Sequence, residues 1–174
     1  QTDHMRLSVR ATEVLHCEKT DFQELTIVQT PQWGRLLVLD GFFQTNDIDE
    51  FVYHEMGAHV PLFTHPEPRR VLVVGGGDGG MVREVVKHPE GEHVDLVEID
   101  RRVIELSKQY FPRIAVALTG NPKVHVNVAD GIRWVQEHES EYDAIIIDSS
   151  EPIGPGEGLF TPEFYAAVHR CLKD

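Results

Sequence analysis

The chain has 174 residues, 41% of them hydrophobic and 26% charged, with a formal net charge of −13. That is the make-up of a soluble globular protein with one ordinary domain and a smaller appendage. The acidic balance excludes a nucleic-acid surface, which needs clustered Lys and Arg, and fits either a cationic ligand or a merely solvated acidic face.

The longest apolar runs, A-I-I-I, V-L-V-V and L-L-V-L, are far too short for a bilayer span of about 20 residues, so no membrane partner is expected. The polar start Q-T-D-H-M-R-L-S-V-R contains no signal-peptide core. Cys17 and Cys171 stand far apart, with no C-x-x-C and no His at zinc spacing. They read as ordinary reduced thiols of a cytoplasmic protein without a metal site. The first residue is not Met, and L-K-D ends the sequence directly after a helix-like stretch. A segment of a longer chain is therefore expected.

Residues 1–48 read as an N-terminal β-strand and hairpin domain. R-L-S-V-R-A-T-E-V-L-H-C-E and F-Q-E-L-T-I-V-Q-T alternate in part, P-Q-W-G is a turn, and D-G between R-L-L-V-L and F-F-Q-T-N is a hairpin signal. Trp33 is expected to pack under that hairpin. Residues 49–68 read as a helix and a linker: Phe51, His54 with Glu55, Ala58 and His59 recur at helical spacing. Asp47 or Asp49 is expected to cap this helix and Pro61 to follow its end, with T-H-P-E-P-R-R as the linker. His59 and His65 are expected to be structural.

Residues 69–174 alternate strand and helix. The strands are R-V-L-V-V-G, H-V-D-L-V-E-I-D, V-H-V-N-V-A-D and Y-D-A-I-I-I-D, and Thr161-Pro162 opens the last helix. This predicts an α/β fold with a Rossmann-like, S-adenosylmethionine-type parallel sheet covered by helices on both faces. Val103, Trp134 and Val135 belong to its core. The segment S-S-E-P-I-G-P-G-E-G-L-F reads as an irregular lid.

In such a sheet ligands bind beyond the carboxyl ends of the strands. All four predicted strands deliver acid there: Asp78 in the glycine turn, then Glu98 and Asp100, then Asp130, then Asp148 with Glu151 beyond. An acid ending the second strand, about 20 residues after a glycine turn, suits ribose hydroxyls, so Glu98 is expected to be a nucleoside ligand, with a cap of the next helix as the alternative. Asp100 is better placed to cap the next helix. Asp130, before Gly131, is open to either role. Asp148 ends the buried run A-I-I-I, where a lone acid is costly unless it is paired or functional.

G-G-G-D-G-G after a clean strand and before a helix is a nucleoside-binding turn, with Gly75 at its entry. Asp78 at its centre repels a pyrophosphate and welcomes an ammonium. S-Adenosylmethionine has an ammonium but also a carboxylate, whereas its decarboxylated form presents only cations. The turn therefore suits the decarboxylated form, and a dehydrogenase is the poorest fit.

With these residues in hand, the sequence resembles the polyamine aminopropyltransferase (spermidine synthase) family through nearly its whole length. The resemblance is carried by F-Q-E-L (22–25), L-V-L-D-G-F-F-Q (37–44), D-E-F-V-Y-H-E-M (49–56), V-L-V-V-G-G-G-D-G-G (71–80), R-E-V-V-K-H (83–88), V-E-I-D (97–100), A-D-G (129–131) and D-S-S-E-P-I-G-P-G-E-G-L-F (148–160). It implies transfer of the aminopropyl group of decarboxylated S-adenosylmethionine to putrescine, giving spermidine and methylthioadenosine. The sulfonium nucleoside is then a co-substrate, and no cofactor is permanently bound.

By matching motif, the resemblance implies that Gln23 and Gln44 line the site, that Tyr53 and His54 face the ligands, and that His54 contacts the polyamine. It gives the aminopropyl amine to Asp78, the ribose to Glu98, the adenine end to Asp130 and Gly131, and a nucleoside contact to Pro155. Asp148 becomes the proton acceptor and grips the diamine together with Glu151. A homodimer or homotetramer is also implied.

Two departures stand out. Many members carry aspartate where this chain has Glu151, which bears on diamine length. The family also continues well past residue 174, so the C-terminal part of the sheet and one wall of the diamine site are expected to lie beyond it; this stretch alone should be weakly active at best. The rival readings are an S-adenosylmethionine-dependent methyltransferase and a polyamine-binding module without catalysis.

Overall fold

The computed structural model describes residues 7–152 and 154–173, with Pro155 described through its backbone only. The chain divides into two units between Asp49 and Glu50. In the first, β1 (Glu13–Lys19), β2 (Glu24–Thr30), β3 (Gly34–Leu39) and β4 (Phe42–Asn46) form an antiparallel sheet in chain order. Alternation along β2 and β3 sets Leu25 opposite Leu39 and Ile27 opposite Leu37, and all four are buried. The β3–β4 hairpin turns on Asp40 and Gly41, with φ of 48° and 81°, the pair of left-handed residues that a type I′ turn requires. Trp33 is half-buried in the β2–β3 turn.

Asp47 does not cap the following helix. Its carboxylate accepts from Arg35 Nε at 2.8 Å, Arg35 Nη2 at 3.1 Å and the Arg35 amide at 2.9 Å. A bidentate, charge-assisted grip of this kind exceeds what a single cap bond gives. Asp49 instead accepts from Asn46 Nδ2 at 2.5 Å.

The second unit begins with α1 (Glu50–Thr64) and then alternates: β5 (Arg70–Gly75), α2 (Gly80–Val85), β6 (His93–Glu98), α3 (Arg101–Tyr110), β7 (Val124–Val128), α4 (Gly131–Glu137), β8 (Ala144–Asp148) and α5 (Pro162–Cys171). The strands pair in parallel in the order β7-β6-β5-β8. Val71, Leu72, Val73 and Val74 of β5 are all buried, because helices cover both faces. On one face α1, α2 and α3 contribute Ala58, Leu62, Met81, Val82 and Ile104; on the other, α4 and α5 contribute Val135, Phe164, Ala167 and Cys171. Val103 is buried, and half-buried Trp134 packs on the second cluster while donating from Nε1 to Tyr142 Oη at 3.0 Å. No helix among the described residues is long and apolar enough to cross a membrane.

Three expectations are corrected. Pro61 lies inside α1, not after it. A proline there removes one helical hydrogen bond, but the extra turn places Leu62 in the core at 2% exposure. The inward face of α1 is His54, Ala58 and Leu62, so Phe51, at 47% exposure, does not belong to it. Residues Gly154–Phe160 are not irregular but form a 3-10 run leading into α5, whose N-cap Thr161 accepts from the Phe164 amide at 3.2 Å.

Candidate active site

The order β7-β6-β5-β8 makes β5 the strand from which the sheet grows both ways, so the crevice of a parallel sheet opens between the ends of β5 and β8. The register places Gly75 directly beside Asp148. Asp78 sits in the turn after Gly75, and α1 brings Tyr53 and His54 to the same place. Tyr53 donates to Asp148 Oδ1 at 2.7 Å. His54 Nε2 lies 3.3 Å from Asp78 Oδ2, and its Nδ1 lies 2.5 Å from Glu50 Oε2. Asp78 Oδ1 accepts from the Gly80 amide at 2.8 Å, which fixes the turn around the carboxylate.

This geometry shifts proton affinities in opposite directions. Burial and the charge of Asp78 push the Asp148 carboxyl up, against the Tyr53 hydrogen bond and the His54 charge, to about 6. Burial alone would lower His54, but the hydrogen bond and charge of Asp78, the hydrogen bond to Glu50 and the charge of Asp148 lift it to about 9. Burial and the Asp148 charge push the Tyr53 phenol up, so it stays a donor. The cluster thus holds a carboxylate made more basic than usual next to a histidine that is a cation at neutral pH.

His54, Asp78 and Asp148 offer ligand atoms within 4.8 Å of one another. Both His54 nitrogens, however, already face carboxylate oxygens, Nδ1 that of Glu50 and Nε2 that of Asp78.

The glycines of the turn make room for the protein's own side chains. Gly76 has φ of 68°, and a Cβ there would lie 2.7 Å from Asp148 Oδ2; a Cβ on Gly80 would lie 2.2 Å from the His54 ring. The space that Gly76 and Gly80 leave is occupied by Asp148 and His54. Gly75, with φ of 78°, likewise lies against the Asp148 carbonyl.

The other predicted residues separate clearly. Glu98 is buried at the end of β6, where Oε2 accepts from the Gly77 amide at 3.1 Å and Oε1 from the Asp100 amide at 2.9 Å. Burial outweighs these bonds and raises its carboxyl to about 7. Asp100 caps α3 through the Arg102 amide at 2.9 Å, as read from the sequence. Asp130 caps α4 through the Ile132 amide at 2.8 Å, the alternative left open above. Gly131 is buried against Val74, which a Cβ would meet at 2.5 Å. Glu151 is exposed after β8, and the Pro155 side chain lies outside the described residues. Gln23 and Gln44 belong to the first unit; Gln23 closes a turn with Thr20, and Gln44 Nε2 donates to the Phe42 carbonyl at 3.4 Å. His65 accepts from the Glu67 amide, and His59 packs against His88, both structural contacts.

Sequence reasoning missed Glu50 and Arg83. Arg83 of α2 donates from Nη1 and Nη2 to the two Glu50 oxygens at 2.8 and 2.9 Å, and from Nε to Glu84 at 2.8 Å. The available signal was the i, i+4 spacing of Glu50 and His54 on one helix.

Residues 50–174 match the family described as spermine/spermidine synthase domain, and residues 1–47 the one described as spermidine synthase tetramerisation domain. The chain belongs to the spermine/spermidine synthase family. Polyamine aminopropyltransferases of Thermoanaerobacter sp. (strain X514) and Bacillus cereus (strain ATCC 10987 / NRS 248) are each 55% identical over all 174 residues, which make up 62% and 63% of those proteins. Two spermidine synthase crystal structures superpose closely. One, in complex with the transition state analogue AdoDATO, has a TM-score of 0.92 at 42% identity. The other, from Thermotoga maritima, has a TM-score of 0.89 at 41% identity. Each alignment covers 95% of this chain and 56% or 55% of the solved one. The chain therefore spans about three fifths of the length of the curated relatives it matches. The α/β fold with its Rossmann-like parallel sheet is the family's.

Proposed function

We propose that the protein is a cytoplasmic aminopropyltransferase: it moves the aminopropyl group of decarboxylated S-adenosylmethionine to putrescine, giving spermidine and methylthioadenosine. The observation that carries this reading is the cluster of Asp78, Asp148, Tyr53 and His54 at the ends of β5 and β8, with an acid in the turn where a pyrophosphate would otherwise lie.

The chemistry fits these groups. Putrescine is a dication at neutral pH, and only a neutral amine has a lone pair. The amine nitrogen attacks the carbon next to the sulfonium, the C–S bond breaks with its electron pair going to sulfur, and the nitrogen loses a proton to Asp148. A carboxyl lifted to about 6 is still ionised at neutral pH and is a better base than an exposed one. Tyr53 orients that carboxylate. Asp78 takes the aminopropyl ammonium, and the acids together offset the repulsion of two cations held side by side.

In this reading Glu98 receives the ribose on lone pairs its backbone bonds leave unused, while Asp130, Gly131 and Pro155 border the adenine end. Glu151 borders the diamine, and no metal takes part. Assembly as a homodimer or homotetramer is part of the proposal, supported by the match of residues 1–47 to a tetramerisation domain.

Two measurements on the full-length protein test the function. Calorimetry is expected to favour decarboxylated S-adenosylmethionine over the carboxylated compound; the opposite preference points to a methyltransferase. Turnover with putrescine, cadaverine, agmatine and spermidine is expected to be fastest with putrescine, and no product from any amine would leave only a binding module.

A further inference from the structure

Behind the acid cluster runs a second, buried line of charge. Glu84 is 1% exposed and accepts from Arg83 and Lys87, with His59 Nε2 3.2 Å away. Arg83 continues the line to both oxygens of Glu50, and Glu50 meets His54 Nδ1. His54 passes it on through Nε2 to Asp78. The signs alternate along Glu84, Arg83, Glu50, His54 and Asp78, so each member compensates its neighbours.

The rest of the His54 surroundings leave little freedom. The ring is 3% exposed, Gly80 of α2 abuts it so closely that no Cβ fits, and the Tyr53 ring stands edge-on to it at 5.4 Å. The charged and titratable groups around it are Glu50 and Tyr53 from its own helix, Asp78 from the turn, Asp148 from β8, and Arg83 from α2 acting through Glu50.

We propose that Glu50, clamped by Arg83, is a positioning residue: it fixes the His54 ring and keeps both ring nitrogens protonated, so that His54 serves as a hydrogen-bond donor to the acid cluster and not as a second base. Either neutral tautomer would leave one ring nitrogen without a proton facing a carboxylate oxygen, one at 2.5 Å and the other at 3.3 Å. Arg83 makes the arrangement rigid, because a guanidinium held on both Glu50 oxygens lets that carboxylate neither rotate nor retreat. With His54 committed as a donor, the proton goes to a carboxylate, and the Gly80 amide and His54 engage both Asp78 oxygens while Tyr53 engages Oδ1 of Asp148, which favours Asp148 as the acceptor. The consequence for turnover rests on the aminopropyl-transfer reading; the protonation state of His54 does not.

Nitrogen-resolved histidine NMR on the full-length ¹⁵N-labelled protein tests this, with the His54 signals assigned by their loss in His54→Gln. At pH 7.5 both ring nitrogens are expected at protonated shifts, and in Glu50→Gln the ring is expected to titrate at least tenfold more easily, about one pH unit lower. In the same variant kcat falls on the order of 10- to 100-fold with little change in the amine KM, as a misplaced positioning contact predicts. Arg83→Lys keeps the charge but loses the two-pronged grip, and is expected to fall between wild type and Glu50→Gln in both readouts.

A wild-type spectrum with one unprotonated His54 nitrogen at pH 7.5 overturns the proposal, and it does so without any variant having to fold. An unchanged His54 titration in a folded Glu50→Gln overturns it too. A charged, Glu50-dependent His54 in a protein that transfers no aminopropyl group would refute the proposed function and leave this inference standing.

Discussion

Four acids end strands or turns along one edge of the same sheet, yet they divide into two kinds. On the side of β6 and β7, Glu98 and Asp130 are held by backbone amides: Gly77 and Asp100 for the first, Ile132 for the second. On the side of β5 and β8, Asp78 and Asp148 are held in part by side chains that can themselves move a proton or a charge, namely His54 and Tyr53. A carboxylate satisfied by amides is held by groups that do not titrate, so a shift such as that of Glu98 to about 7 comes from its burial. One satisfied by titratable side chains can change its protonation as its neighbours do, which is what proton transfer requires.

The sharpest way to break that contrast is a pair of substitutions. Asp148→Asn in the full-length protein is expected to lower kcat on the order of 10³-fold, within the range for loss of a general base. Asp130→Asn, which keeps an acceptor for the Ile132 amide, should cost less than about 10-fold. Equal losses in single-turnover assays would erase the distinction between the two sides.

The next effect is on stability. His54 is raised to about 9 in the folded chain against about 6.5 unfolded. A raised histidine favours the fold while it stays protonated, so this contribution is complete below pH 6.5 and is lost as pH rises through 9. The loss is on the order of 3 kcal/mol at most. The Cys171 thiol, pushed up by burial, adds a loss of the same sign at the upper end. Urea unfolding from pH 6.5 to 9 should show a falling free energy in the wild type and a much flatter profile in His54→Gln.

Gly80→Ala sharpens the contrast from the steric side. Its Cβ would press on the His54 ring at 2.2 Å, so His54 or α1 must move, at a cost of about 1–3 kcal/mol. The same change at exposed Gly120, where a Cβ meets nothing within 4 Å but φ is 71°, costs about 1 kcal/mol from backbone strain alone. Thermal melts compare the two, and a Gly80 cost no larger than that of Gly120 would mean that His54 is not held in place.

The smallest effect is expected from Tyr53→Phe. It removes the hydrogen bond that lowers the Asp148 proton affinity, so the acidic limb of kcat/KM moves to higher pH by less than one unit. A limb that moved down would show that water reaching Asp148 offset more than the hydrogen bond contributed.

Much of this was legible along the chain. Period-2 runs, a D-G hairpin and apolar strands ending in acid located β1 to β8, and the acids at the carboxyl ends of the parallel strands followed from where those strands stop. Asp100 as a cap and Thr161 at the start of α5 were readable because a cap bonds to residues two or three positions on. Pro61 was misread because its local cost is visible in sequence, whereas the burial of Leu62 that outweighs it is not. The Asp47–Arg35 grip was missed for the same reason: its partners are 12 residues apart and meet only through strand pairing.

The sequence by itself determined which chemical groups arrive at the edge of the sheet, because strand period and turn chemistry are local and need only neighbouring residues. It also determined the sign of the site, since an acid in a glycine turn refuses a phosphate wherever the turn lies. Only the tertiary structure decided how those groups are tuned. Glu50, Arg83, His54, Asp78 and Asp148 come from two helices, a turn and a strand, and proton affinity depends on burial and on charges a few ångströms away, which no spacing along the chain records.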